Sequence, residues 1–591
     1  MKIERSMLRL SAACLLLGGA SFAQTTQRVS VGPGGVQGNN YSGTYGNAIS
    51  ADGRFVAFGS GATNLIPGGN ALRWHVFRHD QLSGTTELVS VDSNGNEAAS
   101  DSFNPSISSD GSAVAFESWA GLSAGDTNGR LDVYVHDFTT GQTTRMSLSP
   151  GGGQWAADPC TGAAISGDGR YVGFQKTHAT TLYHHRTDAY VHDRQSGSTV
   201  QLNVNTNGVP TTGLYSFSPS LSFDGRMAAF VSSATDLVSG DTNAFEDVFV
   251  RDMQAGVTTR ISLDSQGAQA NADCLDPSIS SDGRFVAFQS AATNLVAGDL
   301  NAHVDIFVHN IQTGTTVLAS LDSNGAQADA DCLDPSLSAD GRYVSFHSTA
   351  TNLVAGDTNA KDDVFVRDLL LGTTERVSVG ATGAQSDGES DMGHMSADGR
   401  WISLHSYATN LVPADTNGTW DVFARDRGPA YSSIAFCFGE GTQATACPCA
   451  NSGAVGHGCA NSHESSGALL AASGSTSPDS LVLSASQMLP TALDVYLQGD
   501  TQVSGVVFGD GVRCVAGRLL RLSTKSAQLG ASQFPEAGDP SIGARAAALG
   551  DVIAPGAQRF YQTYYRDPDA GFCAAPIGNT WNVTNGIVIR W

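Results

Sequence analysis

Short apolar runs, each ending in a polar turn, recur along residues 26–428 of this 591-residue chain. The fifth copy of the pattern has four such runs, at residues 277–280, 284–289, 305–309 and 315–320. The runs are rich in β-branched and aromatic residues, and Gly, Asp, Asn or Ser separates them. Runs of this length and composition predict β-strands rather than helices.

An Asp-Gly pair marks each copy of the pattern. Its aspartates are Asp52, Asp110, Asp168, Asp224, Asp282, Asp340 and Asp398, at intervals of 58, 58, 56, 58, 58 and 58 residues. So constant a period indicates one supersecondary unit stacked on copies of itself. Apolar residues on both faces of four short strands predict a blade held between two neighbours. The sequence therefore predicts an all-β fold whose main domain, residues 26–428, is a seven-bladed β-propeller.

The two ends of the array are complementary. Residues 27–31 have the pattern of a fourth strand but precede the first Asp-Gly turn. The seventh copy has a third strand at 421–425 and then stops without a fourth. We expect the N-terminal strand to complete the last four-stranded blade and close the ring, which removes both exposed edges.

The repeat also resembles a known family. The pattern Pro-Ser-x-Ser-x-Asp-Gly-Arg-aromatic-Val-Ala-Phe, followed by Asp-Val-Phe-Val-Arg-Asp, is similar to the WD40-like (PD40) repeat of TolB-type propellers. Copies two, four, five, six and seven match it well, and copies one and three match it less well. The resemblance implies a propeller used for protein–protein contact, usually in the bacterial envelope. It implies no reaction, because propellers support many functions.

The N-terminus has the features of a secretory signal peptide over residues 1–23. Lys2, Arg5 and Arg9 precede an apolar run at 10–20, and Ser21-Phe22-Ala23 is a small-x-small cleavage site. No other segment approaches 18 consecutive apolar residues, so we expect a secreted, periplasmic or cell-surface protein without a transmembrane segment. The net charge of −24 argues against nucleic acid as a partner.

Five loops carry Asp-x-Asn-x-x-x-Asp immediately before the third strand. Their residues are Asp126, Asn128 and Asp132; Asp241, Asn243 and Asp247; Asp299, Asn301 and Asp305; Asp357, Asn359 and Asp363; and Asp415, Asn417 and Asp421. Alternating carboxylate and amide oxygens suit Ca²⁺, which makes calcium the candidate cofactor. The alternative is a structural Asx-type turn that holds the strand start, and fivefold repetition favours this alternative.

A basic residue ends the third strand in every copy. The residues are His79, His136, His192, Arg251, His309, Arg367 and Arg425. Seven occurrences indicate a structural pairing with a nearby carboxylate rather than catalysis. In copy three, His178 and residues 183–186 replace the acidic loop, which leaves either a metal or anion site or an irregular loop.

Two sets of cysteines predict disulfides in an exported protein. Cys160, Cys274 and Cys332 occupy one repeat position, and we predict a Cys274–Cys332 bond between adjacent blades, with Cys160 free. After residue 429 the repeat ends, and Cys437, Cys447, Cys449, Cys459, Cys514 and Cys573 follow. Their spacing matches no common zinc site, so three disulfides are predicted, with connectivity open.

Alternating strand patterns predict that residues 430–591 form a small disulfide-bonded β-sandwich. This segment resembles a Cys-rich module at the C-termini of large secreted planctomycete-type proteins, for which no activity is established.

Catalytic motifs are not apparent. No Gly-x-Ser-x-Gly nucleophile elbow follows the propeller, and the Asp-Gly turn departs from the sialidase Asp-box. The sequence therefore favours a non-catalytic binding or scaffold protein with an envelope or extracellular protein or polysaccharide as partner. The alternatives are a carbohydrate-active hydrolase or lyase with carboxylates in the propeller channel, and a calcium-dependent cell-surface adhesion protein. An enzyme should show ionisable channel residues that break the repeat in neighbouring blades, and a binding propeller an aromatic or apolar patch on one rim.

Overall fold

A computed structural model describes residues 24–178, 186–205, 207–211, 215–428, 433–436, 447, 457–463, 465–473, 481–508, 510–536, 538–553, 557–567 and 581–591. The predicted signal peptide lies outside these residues. The chain divides into two compact units, Met1–Gly428 and Pro429–Trp591. The described residues are nearly all strand or loop. No helix among them is both long and apolar enough to cross a membrane.

Seven four-stranded antiparallel sheets build the described part of the first unit. We number them by the copy of the repeat that forms them. Sheet 1 contains Ser42–Ile49, Phe55–Ser60, His75–Asp80 and Thr85–Leu88. Sheet 2 contains Ser102–Ile107, Ala113–Ser118, Asp132–Asp137 and Gln142–Arg145. Sheet 3 contains Cys160–Ile165, Tyr171–His178, Arg186–Asp193 and Thr199–Gln201. Sheet 4 contains Ser216–Leu221, Met227–Ser232, Asp247–Asp252 and Val257–Arg260.

The remaining sheets repeat this plan. Sheet 5 contains Cys274–Ile279, Phe285–Ser290, Asp305–Asn310 and Thr315–Leu318. Sheet 6 contains Cys332–Leu337, Tyr343–Ser348, Asp363–Asp368 and Thr373–Arg376. Sheet 7 contains Ser390–Met395, Trp401–Ser406, Asp421–Asp426 and, from the N-terminus, Thr25–Arg28. A short ribbon pairs Val31–Gly32 with Val36–Gln37, and the 3₁₀ turn Pro33–Gly35 connects its two strands.

The sheets pack in sequence order through their first strands, which we call the inner strands. Each inner strand contacts the inner strand of the next sheet, and that of sheet 7 contacts that of sheet 1. The N-terminal strand runs antiparallel to Asp421–Asp426, with Arg28 opposite Phe423. Ser30 Oγ donates to Asp421 Oδ1 at 2.6 Å and accepts from the Val422 N–H at 3.1 Å. This arrangement is consistent with a β-propeller.

The Asp-Gly turn repeats for two physical reasons. Gly283 has φ +68°, a conformation that only glycine adopts without strain. In addition, a Cβ on Gly341 would lie 2.4 Å from Phe285 Cδ2 of the preceding sheet. The glycine is therefore needed both for the turn and for the contact between sheets. Asp282 Oδ1 holds the turn by accepting hydrogen bonds from Ser280 Oγ at 2.7 Å and the Arg284 N–H at 3.1 Å.

The second unit contains three sheets and one helix in its described part. The largest sheet contains Ser433–Phe436, Gly586–Arg590, Gln558–Arg566, Leu493–Gly499, Leu520–Ser526 and Trp581–Val583. Leu469–Ser473, Val482–Ser486 and Ser532–Phe534 form a second sheet, and Thr501–Phe508 with Gly511–Ala516 a hairpin. The helix Ile542–Ala548, which the β-sandwich prediction did not include, is capped by Ser541 Oγ. Its Ile542 joins a core with Leu483 and Tyr561.

The cysteines of the two units behave differently. Cys447 and Cys459 form a disulfide with a Cα–Cα distance of 5.7 Å, and Cys514 is also disulfide-bonded. Cys437, Cys449 and Cys573 lie outside the described residues.

The predicted Cys274–Cys332 bond is wrong, because both residues are free, buried thiols, as is Cys160. Cys274 Sγ donates to Ser290 Oγ of the same sheet at 3.4 Å. In sheet 7 the same position is Ser390, whose hydroxyl pairs with Ser406 at 2.7 Å. The cysteine thus replaces a serine in a pairing within one sheet, and its thiol is not directed at the next sheet.

Candidate functional site

The acidic loops form a hydrogen-bond network that repeats from sheet to sheet. In sheet 6, Asn359 Nδ2 donates to Asp363 Oδ2 at 3.1 Å and to the Ser386 carbonyl at 3.0 Å. Asn359 Oδ1 accepts from the Lys361 N–H at 3.0 Å, which is an Asx turn. The asparagines at the other four positions make the same bond to a backbone carbonyl, namely Asn128, Asn243, Asn301 and Asn417. The amide oxygens are therefore used by the turn.

An arginine that the sequence reasoning missed lies between the two carboxylates of four loops. Arg376 Nη1 is 3.2 Å from Asp357 Oδ1 and 3.5 Å from Asp363 Oδ2. Arg260 Nη1 makes the same two contacts in sheet 4, at 3.0 and 3.3 Å. Arg145 in sheet 2 and Arg28 in sheet 7 are also ion-paired to these loops. In these four sheets an ion pair lies where the calcium hypothesis places a cation.

The position of this arginine is visible in the sequence. Arg145, Arg260 and Arg376 each follow the first aspartate of their loop by 19 residues, and the N-terminal strand supplies Arg28 for the last loop. In sheet 5 the same position is Leu318. Within the described residues, no group of three or more His, Cys, Asp and Glu side chains could hold a metal ion.

The basic residues that end the third strands have a threonine partner. His309 Nδ1 lies 2.9 Å from Thr316 Oγ1, which in turn donates to the Leu263 carbonyl of the preceding sheet. Six further pairs are equivalent: His79–Thr86, His136–Thr143, His192–Thr199, Arg251–Thr258, Arg367–Thr374 and Arg425–Thr26. The prediction of a carboxylate partner is therefore wrong.

Burial lowers the pKa of His309 to about 4, so its ring is neutral at physiological pH. A neutral ring can donate from Nδ1 to the threonine oxygen, whose own proton is used toward the carbonyl. This chain of hydrogen bonds connects two sheets, which is a structural role.

The loop of copy three lies mostly outside the described residues, including Tyr183, His184 and His185. At its edges, His178 Nε2 is 2.6 Å from Asp188 Oδ2, and Arg186 Nη2 is 3.1 Å from Asp188 Oδ1. The buried Asp188 side chain therefore contacts both His178 and Arg186.

Each inner strand contains a residue with a positive φ at its bulge, and the inner strand of sheet 1 contains a second one, Gly43. We call the seven residues at the bulges the inner ring: Gly46, Asn104, Gly162, Ser218, Asp276, Asp334 and Met392, with φ between +49° and +90°. In all seven inner strands the pairing register shifts at this point, as at a β-bulge. Five members are not glycine, and each left-handed conformation costs about 1–2 kcal/mol. Strain of this kind concentrates at functional sites, so the inner ring defines the candidate site.

Sheets 5 and 6 place titratable groups on this ring. His347 lies between two carboxylates, with Nε2 3.1 Å from Asp334 Oδ2 and Nδ1 2.9 Å from Asp362 Oδ2. Burial alone would lower the pKa of His347, but these hydrogen bonds outweigh burial and raise it to about 10. The hydrogen bond between His347 Nε2 and Asp334 lowers the pKa of Asp334. Burial, together with the charge of Asp334, raises the pKa of Asp276 to about 6.

In sheet 7 the second strand carries a histidine that packs on an aromatic ring. His405 Nδ1 contacts Asp391 Oδ1, and the His405 ring stacks on Trp420 with centroids 4.3 Å apart. Tyr407, which is 45% exposed, meets Trp420 edge-on at 5.9 Å. His347 and His405 occupy the strand position that holds glutamine in sheet 5. The same position holds Glu117 in sheet 2, so ionisable residues occupy it in sheets 2, 6 and 7.

Comparisons with known proteins place these features in context. No family model matches the chain, and no curated protein matches it. The solved structures that are similar include oligogalacturonate lyase from Vibrio parahaemolyticus, with a TM-score of 0.39 and 12% identity over 68% of this chain and 97% of that one. Acylaminoacyl peptidase from Pyrococcus horikoshii has a TM-score of 0.40 and 12% identity over 65% of this chain and 51% of that one.

TolB from Acinetobacter baumannii is a third similar structure, with a TM-score of 0.30 and 14% identity over 64% of this chain and 81% of that one. The chain therefore spans about half of the peptidase and most of the lyase and TolB. At these TM-scores, none of the likenesses decides the function.

Proposed function

We propose that the chain is an exported binding protein whose first unit is a closed seven-bladed, TolB-like propeller that binds an envelope or extracellular partner at its inner ring. Seven sheets of one design and the N-terminal strand in sheet 7 support the closed ring. The signal-like N-terminus and the Cys447–Cys459 disulfide support export.

The observation that carries this proposal is the chemical variety of the inner ring. The Asp-Gly turns and the threonine pairs repeat in every sheet. The inner ring keeps its positive φ in all seven sheets yet changes in side chain from Asn104 to Ser218, Asp276 and Met392. Variation at a strained position in a constant scaffold is characteristic of a recognition surface.

The chemistry of the ring indicates the kind of partner. Its members Asp276 and Asp334 supply carboxylates, and outside the ring, in sheet 7, the exposed Tyr407 lies against Trp420. Carboxylates accept hydrogen bonds from hydroxyl or amino groups, and aromatic faces pack on apolar surface such as one face of a sugar ring. An envelope polysaccharide or a protein surface rich in such donors meets both requirements.

A carbohydrate-active hydrolase or lyase is the second candidate, and Asp276 favours it. Its pKa of about 6 beside an ionised Asp334 resembles the division of roles in an acid–base carboxylate pair. Binding is preferred, because the two hydrogen bonds of His347 keep Asp334 ionised and the imidazole protonated. Of Asp276, Asp334 and His347, Asp276 is then the one group suited to proton transfer near neutral pH.

The test is saturable capture by the full mature chain, residues 24–591, on envelope-protein and polysaccharide panels. We expect Tyr407→Ala and Asp276→Asn to weaken capture at least tenfold, and Glu97→Gln, an exposed change outside the ring, to leave it unchanged. Full capture by both Tyr407→Ala and Asp276→Asn would contradict the proposal. Release of shortened sugar products that Asp276→Asn abolishes would establish the enzyme instead.

A further inference from the structure

Sheet 5 keeps the acidic loop but lacks the arginine that accompanies it elsewhere. Leu318 lies opposite Phe307, where sheet 4 has Arg260 opposite Phe249 and sheet 6 has Arg376 opposite Phe365. Sheets 1 and 3 lack both the acidic triad and the arginine, with Leu88 and Gln201 at that position. Sheet 5 is therefore the exception to an association that holds in the other six sheets.

The missing arginine leaves two carboxylate oxygens without a partner. Asp299 is 6% exposed and Asp305 is fully buried. Asp299 Oδ1 and Asp305 Oδ2 have no hydrogen-bond partner of normal distance and angle among the described residues, and neither side chain is in an ion pair there. Asn301 interacts with both carboxylates but carries no charge to offset theirs. These are the same two atoms that contact the arginine Nη1 in sheets 4 and 6.

The neighbouring polar groups do not replace the arginine. Gln327 Nε2 donates to the Gly298 carbonyl at 3.0 Å, whereas Gln385 in sheet 6 donates to Asp357 Oδ1 at 2.7 Å. Asp305 Oδ1 is already bonded to Ser320 Oγ. His303 on the same loop contacts the exposed Asp331 instead, with Nδ1 3.1 Å from Asp331 Oδ1.

We propose that the sheet 5 loop binds one Ca²⁺ ion between Asp299 Oδ1 and Asp305 Oδ2, at the position that an arginine nitrogen occupies in the related sheets. Two buried carboxylates that lack a positive partner are costly to keep ionised, and a divalent cation offsets their charge. This site is independent of the partner proposed for the inner ring.

The chemistry favours calcium over magnesium. In sheets 4 and 6 the arginine nitrogens lie 3.0–3.5 Å from the two oxygens. A Ca–O distance of about 2.3–2.6 Å is shorter by at most about 1.2 Å, so carboxylates spaced as in those sheets need only a small movement to bind the ion. Calcium takes about 6–8 oxygen ligands, so water would enter the buried site together with the ion. Calcium accepts such irregular oxygen sets, while Mg²⁺ requires near-ideal octahedral geometry.

The experiment is calorimetric titration of the metal-free mature chain with CaCl₂ in 0.15 M KCl, which suppresses diffuse binding to the acidic surface. We expect one site in the wild type, none in Leu318→Arg, and two in Arg376→Leu, which copies the sheet 5 arrangement into sheet 6. Leu82→Arg adds the same charge at an exposed turn of sheet 1 and should keep the site.

Several results would overturn the assignment. They are no saturable calcium binding by the wild type up to millimolar concentration, unchanged binding by Leu318→Arg, or equal loss in Leu82→Arg. Magnesium binding as tight as calcium binding would overturn the choice of ion. If Arg376→Leu fails to fold, Leu318→Arg and Leu82→Arg still decide the question, because Leu318→Arg restores the residue found in four other sheets.

Discussion

His347 provides a quantitative test of the inner-ring electrostatics through His347→Gln. The pKa of this histidine rises from about 6.5 in the unfolded chain to about 10 in the folded one. At about 1.4 kcal/mol per pKa unit, this rise corresponds to at most ~5 kcal/mol of folding free energy. The Asp334 side chain is 45% exposed, so water screens part of this interaction. We therefore expect a contribution of about 2 kcal/mol.

The direction of the pKa shift of His347 determines the pH range in which its contribution to folding is lost. A histidine whose folded pKa is raised stabilises fully below its unfolded value and loses that stabilisation as pH rises toward the folded value. The difference in unfolding free energy between wild type and His347→Gln should therefore be about 2 kcal/mol at pH 6.5 and fall steadily toward pH 9. Denaturant unfolding of the full chain, followed by tryptophan fluorescence, measures this difference.

His309→Gln is the matched control. Burial keeps the pKa of His309 near 4, so this histidine is neutral in both states above pH 7.5 and its substitution should have the same effect at pH 7.5 and 9. A His347→Gln difference that is constant from pH 6.5 to 9, or that follows the control, would refute the argument that two carboxylates hold a protonated imidazole.

Two further predictions test the frame of the propeller. Gly341→Ala should lower the unfolding free energy by about 2–4 kcal/mol, because the added Cβ overpacks against Phe285 and the φ is unfavourable for alanine. Gly314→Ala, at φ +67° and with open space around it, should lower it by about 1 kcal/mol. Equal costs would exclude the contact between sheets. Ser30→Ala should lower the unfolding free energy by about 1–3 kcal/mol, and so should Ser262→Ala, the equivalent change within sheet 4. If Ser262→Ala is destabilising and Ser30→Ala is not, the N-terminal strand is not bound to sheet 7.

The sequence predicted what depends on local chemistry repeated many times. The 58-residue period, the Ser-x-Asp-Gly turn and the strand positions follow from short-range patterns that each copy restates. Asn359 likewise acts as a turn residue, which the alternative to calcium anticipated. Predictions of this kind require only that every copy fold in the same way.

The partners of individual side chains were predicted poorly, because they depend on which strands are neighbours. The threonine that bonds His309 lies on the next strand, and the arginine beside Asp357 is 19 residues away. Cys274 pairs within its own sheet, although adjacent blades suggested a bond to Cys332. The positive φ of Asp276 leaves no signature in composition, because the bulge arises from strand pairing.

Sheet 5 departs from the repeat at two pairings that sheets 4 and 6 keep. In sheet 5, Leu318 replaces the loop arginine. Asn310 replaces the aspartate that pairs with the turn arginine in sheets 4 and 6. Arg284 therefore bonds Asp282 of its own turn instead. The two titratable members of the inner ring, Asp276 and Asp334, belong to sheets 5 and 6. In a scaffold under selection for packing alone, a copy that keeps the acidic loop would also keep its arginine, as sheets 2, 4, 6 and 7 do. The loss of that arginine in sheet 5 alone among these copies is the pattern expected if ligand binding rather than stability determines the residue.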